Sequence, residues 1–279
     1  MASEHAQPHL VTIEPANGWA ALGLRELWAN RELLYLLIWR EIQSGYRQTA
    51  LGMWWLFLRP LLNVLILSFV FGAIVNVPSE GVPYPLFSMT ALLPWSFFTG
   101  SVQRASRSLV DNLHVISKVY FPRMVIPIAA TASGLVDFAA AFVVLLVTLL
   151  IYRMPLRPQI LWTPLLLSVT FLFALAVGLW LATLSVKYRD VSFAITFLLQ
   201  ALMYLSPVIY PVSMVPEQLQ PIYNLNPMTG VIQGFRWAIL GIGEPPGTAF
   251  LISIGVVILL LVSGAYLFNR TEQNIVDVL

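Results

Sequence analysis

The sequence predicts an all-α integral membrane protein with six transmembrane helices, an N-terminal amphipathic interface helix and short re-entrant external gate helices. Three observations lead there. Of 279 residues, 58% are hydrophobic and 10% are charged, against roughly 25% charged residues in soluble domains. Apolar runs recur at close to the ~20 residues that a crossing needs. Basic residues collect on alternate connections. A net charge of +2 and a pI of 9.0 reflect few charges rather than a nucleic-acid surface. Without cysteine there is no disulfide and no thiolate metal site.

In chain order, residues 1–21 have neither a basic end nor an apolar run, so no signal peptide is expected and they read as a cytoplasmic tail. Residues 22–53 read as a cytoplasmic interface helix, because their longest clean apolar run, Leu33 to Trp39, is too short to cross. Trp28, Tyr35, Trp39 and Tyr46 share one side of it, where rings anchor in the headgroup layer. The transmembrane domain, 54–268, has spans at about 54–76, 85–102, 124–152, 160–186, 191–210 and 249–268, and 269–279 form a cytoplasmic tail. With both termini inside, all of the 15 lysines and arginines except Arg153, Arg157 and Arg236 fall on the cytoplasmic side.

Residues 107–123, RSLVDNLHVISKVYFPR, form a charged island between two spans. Ser108 and Asp111 read as a helix start and Pro122 as its stop. Leu109, Leu113, Ile116 and Tyr120 take one face, while Asp111, Asn112, His114 and Lys118 point elsewhere. This amphipathic helix, 108–121, either lies on the membrane or fits a groove of a partner. In the external segment 212–248, Thr229 caps a short helix that ends at Gly241. About 11 helical residues reach half of the roughly 30 Å hydrocarbon layer, so it either dips in at a pore mouth or lies flat on the outer leaflet.

Neither lysine, Lys118 or Lys187, belongs to a phosphate-cradling glycine loop, and His5, His9 and His114 form no metal or hydrolase constellation. Asp137, mid-span, must face protein or water and serves an interhelical hydrogen bond or transport itself. Arg59 either snorkels or, with Arg40 and Arg47 near the cytoplasmic entrance, binds lipid phosphate. Trp55 and Phe69 of the first span and Phe193, Phe197, Tyr204 and Tyr210 of the fifth are packing or lipid surface, or a conduit whose rings stack on sugars. A chain with neither a nucleotide site nor a proton relay is a passive channel or is driven by a partner. The amphipathic island favours the driven transporter, and two copies are needed to enclose a wide conduit.

The stretches YRQTALGMWW (46–55), LLPWSFF (92–98), SLVDNLHVISKVYFPR (108–123), KYRDV (187–191), SPVIYP (206–211) and LNPMTGVIQGFRWAILG (225–241) together resemble the ABC-2 permeases. They are most similar to the subunits that export O-antigen, teichoic acid and capsular polysaccharide. The resemblance implies a homodimer with two separate nucleotide-binding ATPase subunits, which bind ATP and Mg while this chain binds no cofactor. It implies that 108–121 is the coupling helix, with Ser108, Asp111, Asn112, His114, Lys118 and Tyr120 at the ATPase contact. It also implies a gate around Phe235, Arg236 and Trp237, in a multi-pass protein of the bacterial inner membrane. The implied substrate is a polysaccharide on undecaprenyl pyrophosphate moved to the periplasm, and the FRWAILG stretch inclines the choice to O-antigen. A drug or small-lipid exporter is the alternative. A membrane-embedded glycan-modifying enzyme is a weaker one, for want of an intramembrane His, Cys or acid pair.

Overall fold

The computed structural model describes residues 30–46, 50–116, 118, 121–188 and 190–272. The expected tail 1–21, the start of the interface helix with Trp28, the phosphate contact Arg47, the coupling residue Tyr120 and most of the C-terminal tail lie outside the described residues. Among the described residues every regular element is helical. Helix α1 is Arg31–Tyr46 and α2 is Trp55–Leu67, which is led in by a 3-10 turn at Gly52–Trp54 and widens into a π-helical stretch at Ser68–Ile74. The long helix α3, Tyr84–Asp111, is followed by the single turn α4, Leu113–Ile116, and by α5, Val125–Ile151. Then come α6 (Thr163–Lys187), α7 (Val191–Tyr204), the turn α8 (Gln220–Tyr223), α9 (Pro227–Leu240) and α10 (Thr248–Glu272).

Four helical stretches are long and apolar enough to cross a membrane: Gly52–Ile74, Val125–Ile151, Pro158–Lys187 and Thr248–Thr271. They coincide with the first, third, fourth and sixth expected spans. The other two differ from expectation. Helix α3 has 28 residues, or about 42 Å at 1.5 Å each. It runs past the expected end at 102 and through the residues read as the start of a separate helix. Pro94 lies inside it and forfeits one backbone hydrogen bond. Helix α7 has 14 residues, about 21 Å, and stops at Tyr204 rather than reaching Tyr210. A proline disfavours helical backbone in the residue before it, and with Pro207 two residues on the helix closes at Leu205.

Helix α3 is the centre of the bundle and packs on α2, α5, α6, α7 and α9. Its Phe87, Phe97, Phe98 and Val102 are buried. Phe98 stacks on Phe173 of α6 at 4.6 Å between centroids, and Phe97 meets Phe138 of α5 edge-on at 6.0 Å. Close approach to α6 depends on Gly178, where an added Cβ would sit 2.6 Å from the Cβ of Ala105. A second apolar cluster, including Leu37, Leu109, Phe121, Leu179 and Phe268, ties α1 to the end of α3, the start of α5 and the far ends of α6 and α10. Helices α2 and α7 are the outliers. Within one chain only Val64 of α2 and only Ile195 and Leu199 of α7 are buried.

Candidate functional site

The charged island is an elbow rather than a free-standing amphipathic helix. No proline or glycine separates it from the helix before it, so α3 continues through Ser108 to Asp111. Ser108 therefore does not cap a helix start. It is buried, and its hydroxyl donates to Ala105 O at 2.7 Å inside the helix. Asn112 closes α3. Its Nδ2 donates to Ser108 O at 2.7 Å, and its Oδ1 accepts a hydrogen bond from Arg40 of α1. Of the residues expected at the ATPase contact, Ser108 and Asn112 are thus anchors facing inward, whereas Asp111, His114 and Lys118 are exposed. Arg40 belongs to this elbow.

Arg59 is elsewhere, in a cleft of about 170 Å³ between α2, α3 and α5. Its guanidinium carbon lies 5.9 Å from the ring centroid of Trp55. Arg104 and Asp137 share the cleft, and Arg104 Nη1 donates to Asp137 Oδ2 at 2.9 Å. The interhelical bond expected of Asp137 is present. Its partner escaped the sequence reading, which placed Arg104 on the cytoplasmic connection between the second and third spans. An acid inside a span requires a compensating cation, and Arg104 was available once α3 was allowed to continue past residue 102. Arg104 Nε also donates to Ala130 O at 3.3 Å. The side chain passes α5 at Gly134, where a Cβ would be 2.3 Å from Arg104 Nη2. Farther along α3 the wall of the cleft turns apolar, with Met89 and Leu92 facing Val64.

The short helix expected before Gly241 is present as α9, with a shifted start. Asn226 is the cap and accepts from Met228 N at 3.1 Å, with Pro227 in the first turn. Thr229 instead donates to Tyr223 O at 3.0 Å. The helix ends as expected at Gly241, whose φ of 69° suits glycine. All of its residues except Gln233 and Trp237 are buried, so α9 does not lie flat on a surface. Phe235 meets Phe138 edge-on, Arg236 lies over the ring of Phe87 and donates to Val208 O at 3.2 Å, and Trp237 meets Trp162 edge-on. Beside α9, Tyr223 donates to the Tyr210 hydroxyl at 3.2 Å, which donates to Tyr204 O at 2.7 Å. Burial and the neighbouring Tyr210 hydroxyl hold the Tyr223 phenol above its ordinary range, so it keeps its proton.

The aromatic residues read as a conduit do not form a closed lining in one chain. Trp55 and Tyr210 are half-buried, while Phe69, Phe193, Phe197 and Tyr204 face outward. Among the described residues no group of three or more His, Asp or Glu side chains converges on a point that could hold a metal.

Four apolar helical stretches long enough to cross, a short buried helix and a charged cleft within the bundle fit a multi-pass membrane protein, and the family match below makes it a transporter rather than a catalytic enzyme. Residues 32–240 match the model of the ABC-2 type transporter family, and the chain belongs to that family as a transport permease. It is 26% identical over 258 residues to the O-antigen export system permease protein RfbA of Myxococcus xanthus, covering 91% of this chain and 98% of that one. It is 27% identical over 255 residues to a permease of the same name from Klebsiella pneumoniae, covering 89% and 95%. With the polysialic acid transport protein KpsM of Escherichia coli the identity is 22% over 210 residues, 75% of this chain and 80% of the relative.

Proposed function

We propose that this chain is the transmembrane subunit of an ATP-driven exporter that moves an undecaprenyl pyrophosphate-linked polysaccharide, O-antigen by preference, from cytoplasm to periplasm. Two copies sit in the bacterial inner membrane with both termini in the cytoplasm, and two ATPase subunits supply ATP and Mg. Each copy crosses six times, by α2, α3, α5, α6, α10 and α7 together with residues 205–210.

The observation that carries the reading is the elbow. Asp111, His114 and Lys118 are presented outward at the end of a helix that borders both the charged cleft and α9. A partner that pushes there acts on both through one backbone. Helices α2 and α7, so little buried in one chain, supply apolar faces for a second copy and for a shared conduit. In it Trp55, Phe69, Phe193, Phe197, Tyr204 and Tyr210 stack on passing sugars, and Phe235, Arg236 and Trp237 belong to the outer gate. Arg59 meets the lipid phosphate, while Arg40 of the interface helix is held at the elbow by Asn112.

The test is a strain lacking this chain. Expected are an internal pool of lipid-linked polysaccharide and loss of surface glycan, both reversed only when the chain and its ATPase are supplied together. Restored export without the ATPase sinks the driven mechanism. ATPase stimulation by small amphiphiles but not by lipid-linked glycan turns the substrate assignment to a small-molecule exporter.

A further inference from the structure

The cleft between α2, α3 and α5 is graded from charged to apolar. Arg59 lies seven residues into the Gly52–Ile74 stretch and Arg104 seven residues before the end of α3, so each is about 10 Å from the elbow end of the bundle. Toward the other end the same groove is walled mainly by Val64, Met89, Leu92 and Leu93, with only the uncharged Asn63 and Ser96 among them. Met89 precedes Arg104 by 15 positions, so the groove extends about 22 Å along α3. The two arginines thus sit toward the surface end of the groove and its main apolar stretch lies deeper, the order of head group and hydrocarbon in a bilayer.

Arg104 is only partly committed within this groove. One nitrogen is bound to Asp137 at 2.9 Å and Nε to Ala130 O, and the side chains of the ion pair remain 28% and 39% exposed. The half-buried pair lines the cleft, so a ligand that enters the cleft reaches the guanidinium. A phosphate competes well for it, because its oxygens accept two parallel bonds from a guanidinium.

We propose that this groove is a binding site for a lipid with a phosphate or pyrophosphate head, in which Arg59 and Arg104 hold the head, Val64, Met89, Leu92 and Leu93 hold the first part of the chain, and Asp137 is the resident counter-ion that the head displaces. The assignment rests on the lipid-linked substrate proposed above and adds to it two residues, Arg104 and Asp137, with opposite effects. Asp137 competes with the ligand for Arg104, so the site releases its head group as the ion pair re-forms.

The experiment uses the full chain in nanodiscs of phosphatidylcholine. The probes are polyprenyl pyrophosphate, phosphatidylglycerol and inorganic pyrophosphate, with binding read by native mass spectrometry and by displacement of a fluorescent polyprenyl probe. Polyprenyl pyrophosphate is expected to bind best. Arg104→Gln and Arg59→Gln should each lose about tenfold in affinity, the effect of one charge-assisted hydrogen-bonding group. Arg104→Lys should retain part of it. Asp137→Asn should bind several-fold more tightly, which a merely structural ion pair does not predict. The double variant Arg104→Gln/Asp137→Asn removes both charges together and should fold yet bind weakly.

Unchanged binding in the double variant, or a loss in Asp137→Asn that parallels Arg104→Gln, overturns the site. Equal binding of phosphatidylglycerol assigns the groove to the bilayer's own lipid and overturns its role in substrate entry, and equal binding of inorganic pyrophosphate overturns the apolar half. A strain that shows no glycan export defect, together with arginine-dependent lipid binding in nanodiscs, overturns the proposed function while leaving the groove assigned.

Discussion

The guanidinium carbon of Arg236 lies 3.6 Å from the centroid of the Phe87 ring, and both side chains are buried. This contact fastens α9 to α3, and the bond from Arg236 to Val208 O fastens α9 to the segment that follows α7. A desolvated cation over a ring is worth about 2 kcal/mol or more.

Phe87→Leu is therefore expected to destabilise the chain by about 2–3 kcal/mol, from the lost cation–π contact and a partly collapsed cavity. Arg236→Lys should not restore the wild-type value, because an ammonium cannot lie flat on the ring and still reach Val208 O. Thermal unfolding in detergent checks both. A Phe87→Leu protein as stable as wild type would show that the contact contributes nothing.

Gly134 and Gly255 form a matched pair of tests. Gly134→Ala places a methyl 2.3 Å from Arg104 Nη2, whereas a Cβ at Gly255 meets nothing within 4 Å. The first should cost about 1–3 kcal/mol, as overpacking does. The second should be neutral or slightly stabilising, since alanine exceeds glycine in helix propensity by about 1 kcal/mol.

At the elbow, Asp111→Lys and Lys118→Glu are expected to weaken assembly with the ATPase subunit while leaving the helices inserted, because both side chains are exposed. Asn112→Ala removes the acceptor of Arg40 and the closing bond to Ser108 O, and should loosen α1 by about 1 kcal/mol. Co-purification of the ATPase reads the first effect, and amide exchange across α1 the second. Retained transport and normal ATPase assembly in the charge-reversed chain would return Asp111 and Lys118 to solvent.

Phe193 and Phe197 are 81% and 71% exposed, so alanine at either should leave the stability of the single chain within about 0.5 kcal/mol. If they stack on sugars in the conduit, export should slow most for long glycans. Equal export of short and long chains by the double alanine variant would make them lipid-facing.

Apolar runs were sufficient to locate α5, α6, α10 and the Gly52–Ile74 stretch, because their burial needs no partner beyond the bilayer. The continuity of α3 was hidden. Gln103, Arg104 and Arg107 read locally as a loop, and only the tertiary pairing of Arg104 with Asp137 makes a charged position tolerable inside the bundle. The start of α9 was legible and was passed over: Asn226 followed by Pro227 is a stronger start signal than Thr229 two residues farther on. The burial of Arg236 was not legible, since the ring beneath it comes from a helix more than a hundred residues earlier in the chain. Nor was the separation of Arg40 from Arg59, which depends on Asn112 being brought to α1.

Pro94 divides α3 into two arms. The arm from Pro94 to Asp111 carries Arg104, and the shorter arm carries Phe87, which Arg236 holds. The missing backbone bond at a helical proline makes that point the easiest place to bend. A bend of about 10° there swings Asp111 through about 4 Å without moving Phe87. The two ends of one helix thereby gain separate travel: the charged groove can change width while the Phe87 end stays clamped under Arg236, as a lever turns on a fixed pin.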